Sequence, residues 1–310
     1  QLAVSPVEDR LAFVASAANV PDRVVHWDGV ALRVVARSVS ETFPPGMLAV
    51  PQDITWKAPD GTDVHGLFYT PTNPDFTCGG LPPAIINIHG GPTSQATRAY
   101  APDIAYFTSR GYAWLEVNHR GSTGYGYRYR DAMYRRWGEV DTEDAVGGAR
   151  ALEEQGLANG KRLVIYGGSA GGYTVLNALI QAPGCFKAGV CLYGVSNLFT
   201  LDLETHKFEA CYNDSLIGPL PEATDRYYAR SPVFHADRIR DPLAIFQGGQ
   251  DRVVPPSQSE EIVRVLQKNH VPYLYHLYEE EGHGFRKRET IADFLSQMEH
   301  FLRQHVLFAP

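Results

Sequence analysis

Residues 163–173 read L-V-I-Y-G-G-S-A-G-G-Y, and they constrain the fold more than any other part of the chain. A β-branched run climbs into Gly167-x-Ser169-x-Gly171 and passes directly into residues of helical period. Glycine on both sides of the serine permits a sharp turn with close backbone approach, which lifts the hydroxyl clear of the chain. Gly and Ser also populate ordinary strand–helix loops, so the motif needs support from elsewhere.

The rest of the chain repeats the strand-to-helix alternation. Apolar runs at 84–88, 112–117, 163–166, 188–193, 243–246 and 273–277 predict strands, and 53–57 with 64–69 predict a strand pair around the turn Pro59-Asp60-Gly61. Helical period occupies 100–110, 140–155, 172–181, 257–268 and 288–305. Strands apolar on both faces, separated by helices, predict an α/β architecture with a mostly parallel central sheet flanked by helices. The stretch 196–236 breaks the rhythm with mixed aromatic and charged residues, as an inserted cap or pocket-forming segment would.

The first 45 residues differ. Short apolar or alternating runs at 2–5, 10–15, 23–27 and 31–36 are separated by Pro6, Asn19, Pro21, Asp28 and Gly29, which reads as closely spaced β-hairpins. They form either a short N-terminal β extension docked on the larger unit or the remnant of a propeller blade, which cannot bury its own faces. The expected division is 1–48 for these hairpins and 49–310 for the larger unit.

With 310 residues, 44% of them hydrophobic, one or two domains with a large core are expected. A net charge of −7 without a basic cluster excludes a nucleic-acid surface. No apolar run reaches the roughly 18–20 residues of a membrane span. Cys78, Cys185, Cys191 and Cys211 show neither metal-ligand spacing nor a dense disulfide pattern, so reduced thiols, a cytoplasmic location and no bound metal are expected. A single surface disulfide is the other arrangement open to them. The N-terminus has no signal-peptide pattern and no initiator Met, which reads as a processed or cut chain.

A serine hydroxyl needs a base, and the base needs an acid to orient it. In an α/β-hydrolase fold these follow in the order Ser, Asp or Glu, His. Asp251 ends the apolar run in D-P-L-A-I-F-Q-G-G-Q-D, and His283 follows the last predicted strand in E-E-E-G-H-G-F. Ser169, Asp251 and His283 are therefore the expected catalytic residues. Acyl transfer also needs donors for a developing oxyanion. The amides of Gly91, in I-I-N-I-H-G-G-P, and Ala170 are the candidates. His89 precedes the serine, breaks the order and is expected to be structural. Asp141 and Asp144, in W-G-E-V-D-T-E-D, resemble a carboxylate pair but are expected to cap the following helix and anchor its loop.

Taken together, H-G-G-P at 89–92, N-x-R-G-S-x-G-Y-G at 118–126, W-G-x-x-D at 137–141, G-G-S-A-G-G at 167–172, D-R-V-V-P-P-S-Q at 251–258 and G-H-G-F at 282–285 resemble the catalytic domain of the prolyl oligopeptidase family of serine peptidases, nearest its acylaminoacyl-peptidase and aminopeptidase-like branch. The resemblance covers about residues 50–308. It implies cofactor-free hydrolysis of amide bonds near the N-terminus of short peptides or of aminoacyl and acylaminoacyl derivatives. It also implies an apolar side-chain pocket lined by Val195, Leu198, Phe199, Leu201 and Val254. Two departures stand out. At most a fragment of the family's propeller is present, so residues 1–45 are expected to meet a second copy or a separate propeller fragment. The arginine that clamps a substrate carbonyl is expected two positions after the catalytic Asp, where this chain has Val253, while Arg252, expected with the pocket residues to bind substrate, lies one residue early. On a strand-like segment that shift reverses the side chain. The alternatives are an esterase or small-molecule amidase using the same three residues in an open cleft, and a non-catalytic interaction module.

Overall fold

The computed structural model describes residues 2–40, 43–44, 46–77, 79–204 and 211–308, and Cys78 lies outside them. Four strands, β1 (Leu2–Val4), β2 (Leu11–Ala17), β3 (Val20–Trp27) and β4 (Leu32–Arg37), form an antiparallel sheet in sequential order. Eight more form a second sheet: β5 (Gln52–Lys57), β6 (Asp63–Tyr69), β7 (Ala84–Ile88), β8 (Ala113–Asn118), β9 (Leu163–Gly168), β10 (Ala188–Leu192), β11 (Leu243–Gly248) and β12 (Tyr273–Tyr278). Their order is β12-β11-β10-β9-β7-β8-β6-β5, with β7 to β12 parallel and the β5–β6 hairpin antiparallel at one edge.

The helices are α1 (Pro102–Thr108), α2 (Tyr127–Asp131), α3 (Val140–Glu154), α4 (Ala170–Gln181), α5 (Leu198–Glu204), α6 (Tyr212–Leu216), α7 (Thr224–Arg230), α8 (Pro256–Lys268) and α9 (Arg288–Leu302), the last continuing into a π-helical turn at Arg303–Leu307. Alternation along each strand decides which helices lie on which face. Ile86, Leu115, Leu163 and Ile165 face α3, α4 and α8 through Ala149, Leu152, Leu176, Leu179, Ile262 and Leu266. Their strand neighbours Ile85, Trp114, Val164 and Tyr166 face α1 and α9 through Phe107, Phe294, Met298 and Phe301. This is the expected α/β-hydrolase arrangement, with helices on both faces of a mostly parallel sheet. The irregular stretch after β10 holds α5, α6 and α7, and these pack in a third apolar cluster with Met133, Trp137 and Tyr173 above the sheet's C-terminal edge.

The N-terminal sheet meets this body at the end of β2. Ser16 Oγ accepts the Tyr100 N–H at 3.0 Å, and Ala18 packs against the α1/α9 side of the core. Every residue of β4 is exposed.

Candidate active site

β9 ends in glycines and hands over to α4 at Ser169, whose φ of 57° and ψ of −122° place a non-glycine residue in a disfavoured region. Such strain costs on the order of 1–3 kcal/mol and persists only where the surroundings enforce it. Here Ser169 N–H donates to Leu192 O at 3.0 Å, and its carbonyl accepts the Tyr173 N–H at 3.0 Å. Gly171 is required because a Cβ there would lie 2.0 Å from the Ile88 carbonyl oxygen. The helix start is thus pressed against the end of β7, and the serine side chain is pushed out of the turn.

The loop after β12 brings His283 to Ser169. Its Nε2 lies 2.9 Å from Ser169 Oγ, and its Nδ1 lies 2.8 Å from Asp251 Oδ2. A carboxylate only accepts, so Nδ1 carries the proton and Nε2 presents its lone pair to the serine hydroxyl. Asp251 is buried in the turn after β11, where Oδ1 accepts the amides of Val253 and Val254, each at 2.9 Å. Gln247 Nε2 donates to Oδ2 at 3.4 Å. Tyr193, at the end of β10, packs its ring 4.8 Å from the imidazole. Glu281 holds the histidine loop by accepting the Arg286 and Lys287 amides at 3.1 and 2.9 Å. The structure therefore brings Ser169, Asp251 and His283 into one hydrogen-bonded line, although 114 residues separate the serine from the histidine.

Gly91 and Ala170 flank the serine. Ala170 opens α4, so its amide has no carbonyl one turn back to donate to. Gly91 adopts φ +127°, and a Cβ there would sit 2.9 Å from Thr93 N. Among the described residues its amide donates to no protein acceptor. The Gly91–Thr93 loop is fastened to the inserted segment because Thr93 N–H donates to the Tyr212 hydroxyl at 3.3 Å, and Thr93 Oγ1 bonds the same hydroxyl.

Beside the serine lies a cavity of about 300 Å³, lined on its apolar side by Trp137, Val195, Leu201, Leu216, Val253 and Val254. Ser169, His283, Gly91 and Ala170 border it, as do Pro92, Tyr212 and Asn213. Of the pocket residues expected from sequence, Val195, Leu201 and Val254 lie here, and Leu198, Phe199 and Arg252 do not. Successive helical residues leave the axis about 100° apart, so among the described residues α5 delivers only Leu201 to the cavity. Leu198 is buried in the third cluster, and Phe199 packs on Tyr227 and Phe234. Residues 251–254 form a turn closed by Asp251 Oδ1, not a strand, which leaves Arg252 exposed and turns Val253 inward. Trp137, Tyr212, Asn213, Leu216 and Val253 were missed. Only Trp137 had a sequence signal, the W-G-x-x-D motif. Tyr212, Asn213 and Leu216 lie on a helix too short to show a period, and Val253 lies in the turn after Asp251.

His89 is structural, as expected. Its Nδ1 donates to Gly90 O at 2.8 Å, and its Nε2 accepts from Ser122 Oγ at 2.7 Å. Burial, then the neighbouring His119, holds its pKa down at about 3. The expected capping role of Asp141 and Asp144 is corrected, because the residue at the start of α3 is Glu139 and it makes no side-chain cap. Asp141 does anchor the loop: it accepts the Gly138 amide and the Thr174 hydroxyl, both at 2.6 Å, joining the Trp137 loop to α4. Burial raises its pKa to about 6 against those two donors. Asp144 instead grips the buried Arg120, at 2.8 Å to Nη2, and Arg120 also reaches Asp60 and Glu143.

Comparison with known proteins agrees with this architecture. The chain is 36% identical over 226 residues to dipeptidyl peptidase family member 6 of Caenorhabditis elegans, covering 71% of this chain and 30% of that protein. It is 34% identical over 227 residues to dipeptidyl aminopeptidase BIII of Pseudoxanthomonas mexicana, covering 72% and 33%. A solved puromycin-hydrolyzing peptidase of Mycobacterium tuberculosis superposes with a TM-score of 0.93 at 39% identity, over 97% of this chain and 46% of that one. The chain thus spans about a third of the length of the curated relatives it matches. Residues 99–307 match the model of the prolyl oligopeptidase family, and the chain belongs to that family.

Proposed function

We propose that this chain carries the catalytic site of a serine peptidase that hydrolyses amide bonds near the N-terminus of short peptides, or of aminoacyl and acylaminoacyl derivatives. The observation that carries the reading is the Ser169–His283–Asp251 line opening onto an apolar cavity large enough for one side chain. Ser169 Oγ attacks the substrate carbonyl while its proton passes to His283 Nε2. Asp251 keeps the ring oriented and balances the imidazolium. The Gly91 and Ala170 amides receive the negative oxygen of the tetrahedral intermediate. As the C–N bond breaks, the same proton goes to the leaving amine. Water, deprotonated by His283, then releases the acid from the serine ester. The names of the relatives, dipeptidyl peptidases and a puromycin-hydrolyzing peptidase, support amide substrates with a short acyl part.

A fluorophosphonate probe should label Ser169, and kcat/KM should be higher for aminoacyl anilides or acylated peptides than for short acyl esters of the same side chain. Labelling with preference for simple esters would replace the peptidase by an esterase. No labelling would leave a non-catalytic module.

The division into residues 1–48 and 49–310 belongs to the same proposal, supported by two sheets that share no strand pairing. So does a second chain, another copy or a propeller fragment, at the N-terminal sheet, whose edge strands expose Leu2, Val4, Leu32 and Val35. A cytoplasmic site of action is proposed from the free thiols Cys185, Cys191 and Cys211, and no helix among the described residues is long and apolar enough to cross a membrane.

A further inference from the structure

Strand β11 reads L-A-I-F-Q-G and is buried along its whole length, apolar as far as Gln247, which is 0% exposed. An amide in place of another aliphatic or aromatic side chain is costly there unless both of its ends are hydrogen-bonded. Both are. One end faces three acceptor oxygens: Val254 O at 3.1 Å, Gly248 O at 3.2 Å and Asp251 Oδ2 at 3.4 Å. That end is therefore Nε2, because the reversed amide would set oxygen against oxygen. The other end, Oε1, accepts the Ser259 hydroxyl at 2.7 Å. Ser259 is buried in the first turn of α8, and its neighbour Gln258 pins that turn to the loop after β10 by accepting the Ser196 and Asn197 amides at 2.8 and 2.9 Å. Gln247 acts on Asp251 twice. Directly, it joins the Val253 and Val254 amides and His283 as a fourth donor to the carboxylate among the described residues. Four donors fill the lone-pair sites of the two oxygens and hold the group against rotation. Indirectly, the bond to Val254 O steadies the turn whose own amides feed Oδ1.

We propose that Gln247 is a positioning residue for the reaction, latched by Ser259, which keeps the Asp251 carboxylate in line with the His283 Nδ1–H. This rests on the serine-hydrolase reading of the site. Gln247 is not on the wall of the cavity beside Ser169, so it works without touching substrate. Hydrogen bonds run unbroken from Ser259 through Gln247, Asp251 and His283 to Ser169, which makes the start of α8 part of the support for the nucleophile. Without the latch the carboxylate is free to tilt and the imidazole loses its fixed orientation. Fewer encounters of bound substrate with Ser169 then find the Nε2 lone pair aimed at the hydroxyl. The loss falls on kcat and spares binding.

The test reads steady-state hydrolysis of an aminoacyl 4-nitroanilide beside the low-field proton resonance of the His283 Nδ1–H, which reports its bond to Asp251. Gln247→Met keeps the bulk of the side chain and removes both polar ends. Gln247→Glu keeps the shape and exchanges the donor for an acceptor. Each should lower kcat by about tenfold, leave KM within about twofold, and shift or erase the resonance. Ser259→Ala should lower kcat by roughly threefold, and adding it to Gln247→Met should cost nothing further, because the hydroxyl acts only through the amide. Unchanged kcat in both Gln247 variants would overturn the proposal, as would an effect confined to KM. A lowered kcat with the resonance unmoved would overturn it too, since an amide that merely fills the core leaves the His283–Asp251 bond intact. Should the Gln247 variants fail to fold, Ser259→Ala, which deletes a single oxygen, decides by the same two readings. If the anilide is not turned over, the rate of Ser169 labelling by the fluorophosphonate takes the place of kcat. Absence of both turnover and labelling in the unmodified protein would instead remove the serine-hydrolase reading beneath the proposal.

Discussion

At the scale of single residues, the geometry assigns distinct work to groups that look alike in sequence. Ser169 is one serine among many, but only here does a positive φ hold the hydroxyl outside its own helix and within 2.9 Å of an imidazole. Ser169→Ala should lower turnover by about 10⁶-fold while leaving the melting temperature nearly unchanged, checked by steady-state kinetics beside thermal unfolding. Glu116 makes a different prediction. It lies buried on β8, accepts the Trp114 indole N–H at 2.8 Å and both of its oxygens accept from Asn87 Nδ2, yet burial still raises its pKa from 4.5 to about 7. The folded protein keeps this proton where the unfolded chain has already lost it. Its stabilising contribution is complete below the ordinary glutamate value and is lost as pH rises toward 7. Glu116→Gln should therefore flatten the decline in stability across that window. Urea midpoints measured at several pH values for both proteins check the slope, and parallel curves would count against a retained proton.

At the scale of elements, what the chain announced in advance depended on period. Strands β7 to β12 alternate apolar residues on both faces, and their positions came through to within one or two residues because a buried parallel strand leaves an uninterrupted apolar run. Helix α4 starts two residues before its apparent period because the elbow itself supplies the first turn. The cavity wall was the least legible part. Tyr212, Asn213 and Leu216 sit on a five-residue helix whose pattern is too short to read, and Val253 turns inward only because Asp251 folds its own backbone into a cap. The reading of Arg252 and Val253 as strand-like failed for that reason. Helix α6 also carries a prediction. Tyr212 bonds Thr93 through both the backbone amide and the hydroxyl, so the inserted segment steadies the loop that bears Gly91. Tyr212→Phe should reduce kcat by roughly tenfold with a smaller change in KM, because an oxyanion donor acts only on the transition state. An effect confined to KM would assign Tyr212 to substrate contact alone.

At the scale of the whole molecule, the N-terminal sheet is the part least completed by its own chain. β4 is exposed along its entire length, and both edge strands carry free apolar side chains. Unpaired edges of this kind are partner sites or liabilities. Light scattering across a concentration series should show association of this polypeptide, abolished by lysine substitutions at Leu32 and Val35. A concentration-independent monomer would leave the sheet as a docked appendage. The sequence made the existence of these strands plain, through Pro, Asn, Asp and Gly between alternating runs, but nothing in those runs says what would cover their edges. The buried Asp141 reaches further than its neighbourhood. One carboxyl group fastens the loop bearing Trp137 to the helix that begins at Ser169, so the wall that would choose a substrate and the turn that would attack it are tethered to the same post. Changing taste here without disturbing speed means moving one end of that tether and not the other, and variants that broaden selectivity through the Trp137 loop should surrender rate in proportion.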